Sequence, residues 1–272
     1  MCNKRRMDSA AFKMVAGCTP GIHVVSARSA HTFPKHSHDD FGIGVITFGA
    51  QRWQSGRKQV EAGTGCAIAV NAGEVHDGSA IGDNGRAWHM LYISPAVLQA
   101  AASDVLNARA TQFEFVAPVI DDSRVAHLVR RLLTVESDVA TDPMRSEELL
   151  LSLAARAGEW EPANDRPLPA SVAAAKQRID DDPTTTLSLG TLAHLGGIGR
   201  FQLLRSFVRM TGFTPHAYVV QRRIDLARRL ISRGERLADV AAACGFADQS
   251  HMTRTFVSKY GIAPGAYARA VR

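Results

Sequence analysis

Residues 240–267 read VAAACGFADQSHMTRTFVSKYGIAPGAY. The apolar residues of this stretch recur at helical spacing in two separate runs. They are Val240, Ala241 and Cys244 in the first run, and Met252, Phe256 and Tyr260 in the second. Gly245 ends the first run because glycine tolerates a left-handed turn, and Asp248 stands where the second helix needs an N-cap. The stretch therefore predicts a helix-turn-helix, whose second helix enters the major groove of DNA.

The same pattern occurs once earlier in the chain. It repeats at a separation of 48 residues in its first half and 49 in its second half. The matched pairs include Leu192 with Val240, Gly197 with Gly245, Phe207 with Phe256, and Pro215 with Pro264. Such a repeat indicates a duplicated unit. We therefore predict two helix-turn-helix units joined by a helix over residues 215–231, after a helix that starts near Ser171 as its N-cap and ends near Asp182.

This tandem pattern closely resembles the DNA-binding domain of AraC-type transcription regulators over residues 171–270. The segment GFADQSHMTRTFVSKYGIAPGAY, residues 245–267, corresponds to the densest signature of that family. The resemblance implies an all-α domain at residues 171–272 that binds a double-stranded DNA operator. It also implies a transcription regulator that has no catalytic residues and can work with RNA polymerase.

Motif positions select the side chains expected to face the DNA groove. They are Arg200, Phe201, Leu204 and Arg205 in the first unit, and Gln249, Ser250, Thr253 and Arg254 in the second. Glutamine pairs with adenine and arginine with guanine, whereas phenylalanine and leucine offer apolar contact, for example to a thymine methyl. The alternative for Arg205 and Arg254 is an exposed charge or a bridge to a neighbouring helix. The positions expected to face the core are Leu203, Phe207, Met210 and Met252.

Charge is shared unevenly between the two halves of the chain. Residues 166–272 carry 16 Lys and Arg against 7 Asp and Glu, a formal balance of +9, and residues 1–165 carry 16 against 19, a balance of −3. A basic C-terminal half is what phosphate-neutralising binding to DNA predicts. No run of 18 apolar residues and no secretory signal is found, and the cysteines have no metal-binding spacing. We therefore expect a cytoplasmic protein without a membrane span.

Residues 22–93 predict a β-rich domain. Short apolar runs such as 43–48 and 67–70 alternate with turn signals such as Ser55-Gly56 and Asn84-Gly85. Gly65, Asn71, Gly73 and His76 have the spacing of the second motif of cupin barrels, with Asn71 where that motif has proline. The pair His36 and His38 resembles the start of the first motif. Over residues 20–95 the chain thus resembles the effector-sensing cupin domain of many AraC-type regulators.

That resemblance raises the question of what the histidines do. The candidate residues for binding a small-molecule effector are His36, His38, Asp39, Glu74, His76 and Trp88. Three imidazoles can also hold a metal ion, but cupin enzymes add a glutamate where this chain has Gly42 or Ile43. Three interpretations stay open: a metal site, an effector pocket with hydrogen-bonding histidines, and structural histidines. We predict the effector pocket, without a metal or another cofactor.

Residues 95–160 have helical periodicity. Leucine and valine stripes at 125–133 and 149–154 fit either a core face that packs on the barrel or a dimer interface. A proline-rich segment follows and predicts a linker at residues 161–170. The predicted fold class is therefore α+β with two domains: a cupin-like β-barrel with its following helices at 1–160, with a dimerisation region at about 120–160, and a tandem helix-turn-helix domain at 171–272.

The predicted function is sequence-specific regulation of transcription, controlled by a small-molecule effector in the N-terminal domain. We expect a homodimer in this class. The alternative function is a cupin-type metal-dependent enzyme with an appended DNA-binding domain, against which the missing glutamate argues.

Overall fold

The computed structural model describes residues 11–56, 58–102, 111–138, 143–162 and 168–271. Contacts divide the chain into two units. The first comprises residues 1–33, 39–73 and 77–162, and the second comprises residues 163–272 with the short segments 34–38 and 74–76. Within the described ranges, no helix is both long and apolar enough to cross a membrane.

The N-terminal half is built mainly from β-strands, as its sequence predicts. The strands are β1 (Ala11–Ala16), β2 (Ile22–Ser29), β3 (Phe33–His36), β4 (Phe41–Phe48), β5 (Ala50–Ser55), β6 (Lys58–Gly63), β7 (Ala67–Val70), β8 (His76–Ala80), β9 (Arg86–Ile93), β10 (Thr111–Phe115), β11 (Val119–Ile120) and β12 (Gly158–Pro162). One sheet has the order β1-β2-β9-β4-β7-β11, and the other has the order β3-β8-β5-β6. Strands β10 and β12 form a separate antiparallel ribbon.

The six-stranded sheet is covered on both faces, which explains the unbroken apolar runs in β4 and β7. Alternate residues of a strand point to opposite faces. Ile43 of β4 and its partner Leu91 of β9 belong to the core that includes the helices, whereas Ile46 and Trp88 belong to the core that includes Trp53 of the second sheet. The pair Gly44 and Met90 lies between them, and a Cβ on Gly44 would come within 2.2 Å of the Met90 sulfur.

Three helices accompany the strands of the N-terminal half: α1 (Pro95–Ala102), α2 (Ser123–Glu136) and α3 (Pro143–Ala157). Helix α3 begins at Pro143, where proline suits a first helical turn. Val125, Val129 and Leu132 are fully buried, and they share one core with Leu149 and Leu153. The leucine stripes therefore form a core face within one chain, which is the first of the two predicted alternatives.

The all-helical prediction for residues 95–160 is wrong in part. Strands β10 and β11 lie between α1 and α2, and β12 follows α3 directly. Strand β12 also takes residues 161 and 162 out of the predicted linker, because Glu161 and Pro162 pair with Gln112 and Thr111 of β10. The ribbon contains bulky aromatic residues, which favour strands, and this signal was present in the sequence. Residues 163–167 of the predicted linker lie outside the described residues.

The C-terminal half is helical. The helices are α4 (Ala170–Asp181), α5 (Leu189–Leu195), α6 (Arg200–Thr211), α7 (Pro215–Ser232), α8 (Leu237–Ala243), α9 (Gln249–Tyr260) and α10 (Pro264–Ala270). Leu192, Leu203 and Phe207 are buried in one cluster with Ile179 of α4. In the second copy of the helix-turn-helix repeat, Val240, Met252 and Phe256 are fully buried. The two predicted helix-turn-helix pairs are thus α5–α6 and α8–α9, and α7 joins them as predicted.

Turn residues confirm the repeat at the level of backbone conformation. Gly197 and Gly245 both have positive φ, +62° and +72°, in the turn between the two helices of each unit. Two details of the prediction are wrong. Helix α4 starts at Ala170 with Pro169 at the N-cap, so Ser171 lies inside the helix. Met210 is 38% exposed, because α6 buries only the stripe that contains Leu203 and Phe207.

Candidate nucleic-acid interface and effector site

The N-terminal end of α9 presents polar side chains on a well-capped helix. The Asp248 Oδ1 atom accepts a hydrogen bond of 2.7 Å from the backbone N–H of His251. Gln249, Ser250 and Arg254 are exposed, and Thr253 is half-buried. Met252 and Phe256 on the opposite side of the same helix are fully buried. The helix is therefore anchored by one face and offers hydrogen-bonding groups on the other.

The corresponding end of α6 has a different chemistry. Gly199 is its N-cap and makes no side-chain capping bond, as the sequence predicts. Phe201 is 71% exposed, and the Arg205 guanidinium lies 5.5 Å from the centre of its ring. Leu204 is half-buried. This end of α6 thus offers one large apolar surface and one cation that lies over it.

Arg200 differs from the other predicted groove residues. It is exposed, but its guanidinium lies against the start of α5, where a Cβ on Gly190 would lie 3.3 Å from its Nε atom. Arginine side chains often bind phosphate, and such contacts orient a protein on DNA without reading its sequence.

A residue that sequence reasoning missed fixes the second helix-turn-helix. Arg223 of α7 donates hydrogen bonds to the carbonyl oxygens of Pro183 (2.8 Å), Gly245 (2.8 Å) and Thr184 (3.2 Å). Gly245 is the turn residue between α8 and α9, so the guanidinium connects that turn to the segment after α4. Because α7 contains several arginines, no sequence signal distinguishes this one.

The three candidate histidines lie close together. The ring centroids of His36 and His76 are 4.3 Å apart, those of His38 and His76 are 5.0 Å apart, and those of His36 and His38 are 6.5 Å apart. All three side chains are buried, at 8%, 4% and 8% exposure in order of position. Strand β3 ends at His36, so His38 reaches the cluster from the following loop rather than from the strand.

Backbone carbonyls set the tautomers of two of these rings. The Nδ1 atom of His36 donates to the carbonyl oxygen of Pro34 at 2.8 Å, and that of His76 donates to the carbonyl oxygen of Glu74 at 3.0 Å. A neutral imidazole that donates from Nδ1 has Nε2 as an acceptor. Burial lowers the pKa of His36 well below its ordinary value, and the neighbouring His76 lowers it further. His36 is therefore neutral at pH 7.

The other effector candidates differ in their placement. Glu74 contributes its backbone carbonyl to the cluster, and Asp39 is exposed. Trp88 packs in the core between the two sheets, 5.6 Å from Phe12 and 6.1 Å from Phe33. The buried guanidinium of Arg86 lies 4.8 Å from the Trp88 ring, and burial lowers its pKa to about 10. Across the described ranges, no three His, Cys, Asp or Glu side chains are arranged to hold a metal ion.

Comparison with known proteins agrees with this layout. Residues 19–154 match the family of AraC-like ligand binding domains, and residues 192–270 match a helix-turn-helix domain family. An uncharacterised transcriptional regulator of Bacillus subtilis, YbfI, is 25% identical over 247 residues, which cover 86% of this chain and 87% of that protein. The probable regulator LumQ of Photobacterium leiognathi is 34% identical over 87 residues, which cover 32% of this chain and 35% of LumQ.

Solved structures of ToxT from Vibrio cholerae have a similar fold. A structure of a ToxT variant without ligand has a TM-score of 0.56 at 12% identity and covers 93% of this chain and 99% of ToxT. Another structure contains ToxT bound to an unsaturated fatty acid and has a TM-score of 0.50 at 15% identity, with 97% and 98% coverage. At these identities the likeness concerns the fold.

The β-rich ligand-binding domain and the tandem helix-turn-helix domain together define a class of DNA-binding transcription regulators that respond to small molecules. The chain belongs to the AraC family of this class. The matched relatives named here are transcription regulators, which favours this function over the metal-dependent enzyme that the cupin motifs allowed.

Proposed function

We propose that the chain recognises its operator through α6 and α9, and that these two helices contribute different kinds of contact. The observation that carries this proposal is the exposed polar end of α9, with Gln249, Ser250 and Arg254 beside the Asp248 cap. Gln249 and Arg254 read base edges, with Gln249 suited to adenine and Arg254 to guanine. Ser250 and Thr253 contact phosphate and set the position of the helix.

Helix α6 makes mainly apolar and phosphate contacts. Phe201 and Leu204 have no hydrogen-bonding atoms in their side chains, so they contact thymine methyl groups. Arg205 lies over Phe201 and reaches a base or phosphate beside it. Arg200 lies beside Gly190 and binds phosphate. The half-site of α6 is therefore expected to be read less selectively than the half-site of α9.

Two arginine variants test this division. For Arg254→Ala we expect weaker binding to the operator and lost discrimination at one base pair, by about 1–3 kcal/mol. For Arg200→Ala we expect an equal loss on operator and scrambled duplexes, with a salt slope reduced by about 1. Arg269→Ala, at the end of α10, is the matched control for charge. A uniform loss in Arg254→Ala would make that residue a phosphate contact and would refute its role in base reading.

We propose that the effector binds to the N-terminal half of the sequence, where His36, His38 and His76 form a cluster of buried imidazoles. The Nδ1 atoms of His36 and His76 donate to backbone carbonyl oxygens, so both rings are held in fixed orientations at the proposed site. His38 and the backbone carbonyl oxygen of Glu74 complete the cluster, whereas the exposed Asp39 belongs to the first unit. Trp88 acts indirectly, since its ring packs between Phe12 and Arg86. Effector binding changes which operator half-sites are occupied through a difference in affinity between two states.

The histidine site has its own test. The double variant His36→Ala/His76→Ala is expected to abolish the effector response and leave operator binding intact. An unaltered response would remove these histidines from the site.

We propose that the chain acts as a cytoplasmic homodimer without enzymatic activity and with RNA polymerase as a partner. Elemental analysis of the purified protein tests the metal alternative, because one tightly held metal ion per chain would favour it.

A further inference from the structure

We propose that the first unit, in residues 39–73 and 77–162, contains a second small-molecule site, which takes a small arylalkyl amine or amide. The site is a cavity of about 290 Å³ between helix α1 and the β10–β12 ribbon. Its apolar wall includes Phe41, Leu98, Phe113 and Trp160. This volume lies at the small end of the roughly 300–1,000 Å³ range of ligand pockets, and it suits one or two rings.

Aromatic contacts hold the wall of the cavity in place. The Phe113 ring lies 5.3 Å from that of Phe41 and 5.2 Å from that of Trp160. It lies directly on the backbone of β12, since a Cβ on Gly158 would come within 2.2 Å of the Phe113 ring. The Phe41–Phe113 pair is edge-to-face and the Phe113–Trp160 pair is tilted at 59°, and a further aromatic ring can pack against such rings favourably. The cavity is thus formed before a ligand arrives.

The ribbon is also fixed to the end of β7 by the side chain of Asn71. Its Oδ1 atom accepts from the backbone N–H of Phe115 at 2.7 Å, and its Nδ2 atom donates to the Phe115 carbonyl oxygen at 3.3 Å. Asn71 stands where the cupin motif has proline, and proline lacks both of these groups. The departure from the cupin pattern therefore has a structural consequence: it secures one side of the cavity.

Polar groups at the mouth of the cavity define the chemistry of the ligand. Gln99, Gln112 and Glu114 are exposed there. Among the described residues that line the cavity, Glu114 alone carries a formal charge, and that charge is negative. It attracts an ammonium or amide N–H and repels a carboxylate. The cavity thus prefers cationic and neutral aromatic ligands over anionic ones.

The location of the cavity connects it to regulation. Its lining is separate from the histidine cluster, and Phe41, Leu98 and Phe113 belong to the core that contains α2 and α3. Strand β12 follows α3 without a break, and the chain continues from β12 towards the DNA-binding domain. A ligand against Trp160 stabilises β12. Any effect of this stabilisation on DNA binding rests on the proposed function, whereas the existence of the ligand site does not.

Three probes of similar size test the site on the full chain: 2-phenylethylamine, phenylacetamide and phenylacetate. Affinities are measured by ligand-observed NMR and calorimetry. We expect the amine and the amide to bind about fivefold more tightly than the acid, a modest factor because Glu114 is exposed. Glu114→Gln is expected to reduce that gap to less than about twofold, because it removes the charge and keeps the shape.

Filling variants test the location. Ala72→Leu and Gln99→Trp place extra volume in the cavity and are expected to abolish binding of all three probes. Ala96→Leu, at an exposed position of α1 outside the lining, is the matched control, and His36→Ala/His76→Ala should bind the probes as the wild type does. Equal binding to the wild type and to both folded filling variants would overturn the proposal, as would no binding of any probe at millimolar concentration.

Operator binding is measured on the same preparation. If the operator is recognised and no probe binds, the cavity proposal fails alone. If the probes bind as expected and no DNA sequence is selected, the proposed function fails and the ligand site stands.

Discussion

The Asp248 carboxylate accepts a 2.7 Å hydrogen bond from the backbone N–H of His251, and this bond fixes the end of α9 that carries Gln249. The equivalent position of α6, Gly199, has no side-chain bond. Removal of an N-cap side chain costs about 1 kcal/mol, whereas glycine and serine caps differ by only a few tenths. The first turn of α9 therefore has a side-chain capping bond that the first turn of α6 lacks, although the two caps differ in free energy by only roughly a few tenths of a kcal/mol.

Asp248→Ala is expected to lower the free energy of unfolding by about 1 kcal/mol and to weaken operator binding, because the reading end of α9 frays. Gly199→Ser is expected to change stability by a few tenths at most. Chemical denaturation and operator titration measure both effects. If Asp248→Ala unfolded at the wild-type denaturant concentration and bound as the wild type does, the capping bond would have no functional role.

Phe201 is expected to contact a thymine methyl group. Replacing one thymine of the α6 half-site by deoxyuridine removes only that methyl, and the wild type should then bind about threefold to tenfold more weakly. Phe201→Ala should bind both duplexes with equal affinity. Replacing thymine by deoxyuridine in the α9 half-site is the control, since the hydrogen bonds proposed for Gln249 and Arg254 do not involve the thymine methyl group. If Phe201→Ala kept the full preference for thymine, another residue would make the contact.

His36 makes stability depend on pH in a defined direction. Because burial lowers its pKa in the folded state, the unfolded state takes up a proton first as the pH falls below about 6.5. Stability is thus unaffected by this residue above that pH and decreases below it, towards the lowered pKa. His36→Gln should flatten this dependence between pH 7.5 and 5.5, with His127→Gln, an exposed histidine, as the control. An equal slope in His36→Gln and the wild type would contradict the assignment.

The hydrogen bonds of Arg223 are expected to stabilise the second helix-turn-helix. Arg223→Ala leaves three carbonyl oxygens without this donor and should lower the free energy of unfolding by about 1–3 kcal/mol. The exposed Arg229 of α7 is the matched control, and its alanine variant should change stability by less than about 0.5 kcal/mol. Equal stability of the two variants would show that the contacts of Arg223 contribute little.

The helix-turn-helix units were predictable because each rests on local signals. These signals are glycine at the turn, Asp248 at the helix N-cap and apolar residues at helical spacing, and each of them acts over only a few residues. The turn glycine and the apolar spacing occur in both copies of the repeat. The ribbon of β10 and β12 was missed because Phe113 and Trp160 pair across 47 residues of sequence, and helical periodicity in α2 and α3 masked it. Met210 was wrongly predicted to be buried, because helical spacing identifies the apolar face of α6 but does not show how far along that face burial extends.

The candidate sites were predictable to different depths. Motif spacing brought out His36, His38 and His76, and the structure brings their rings together. Trp88 was chosen for its residue type, yet its ring contacts are with Phe12, Phe33 and Arg86. The role of Arg223 and the aromatic cavity could not be predicted. Both arise from contacts between elements that are distant in sequence, and such contacts leave no local pattern in a single sequence.

Selection from a random-sequence duplex pool, at one stated salt concentration and with the full chain, tests the central claim most directly. The account predicts one enriched site with two half-sites, and Arg254→Ala should lose selectivity at one base pair of one half-site. Recovery of no preferred sequence by the wild type, with binding that depends on salt alone, would contradict sequence-specific recognition by α6 and α9.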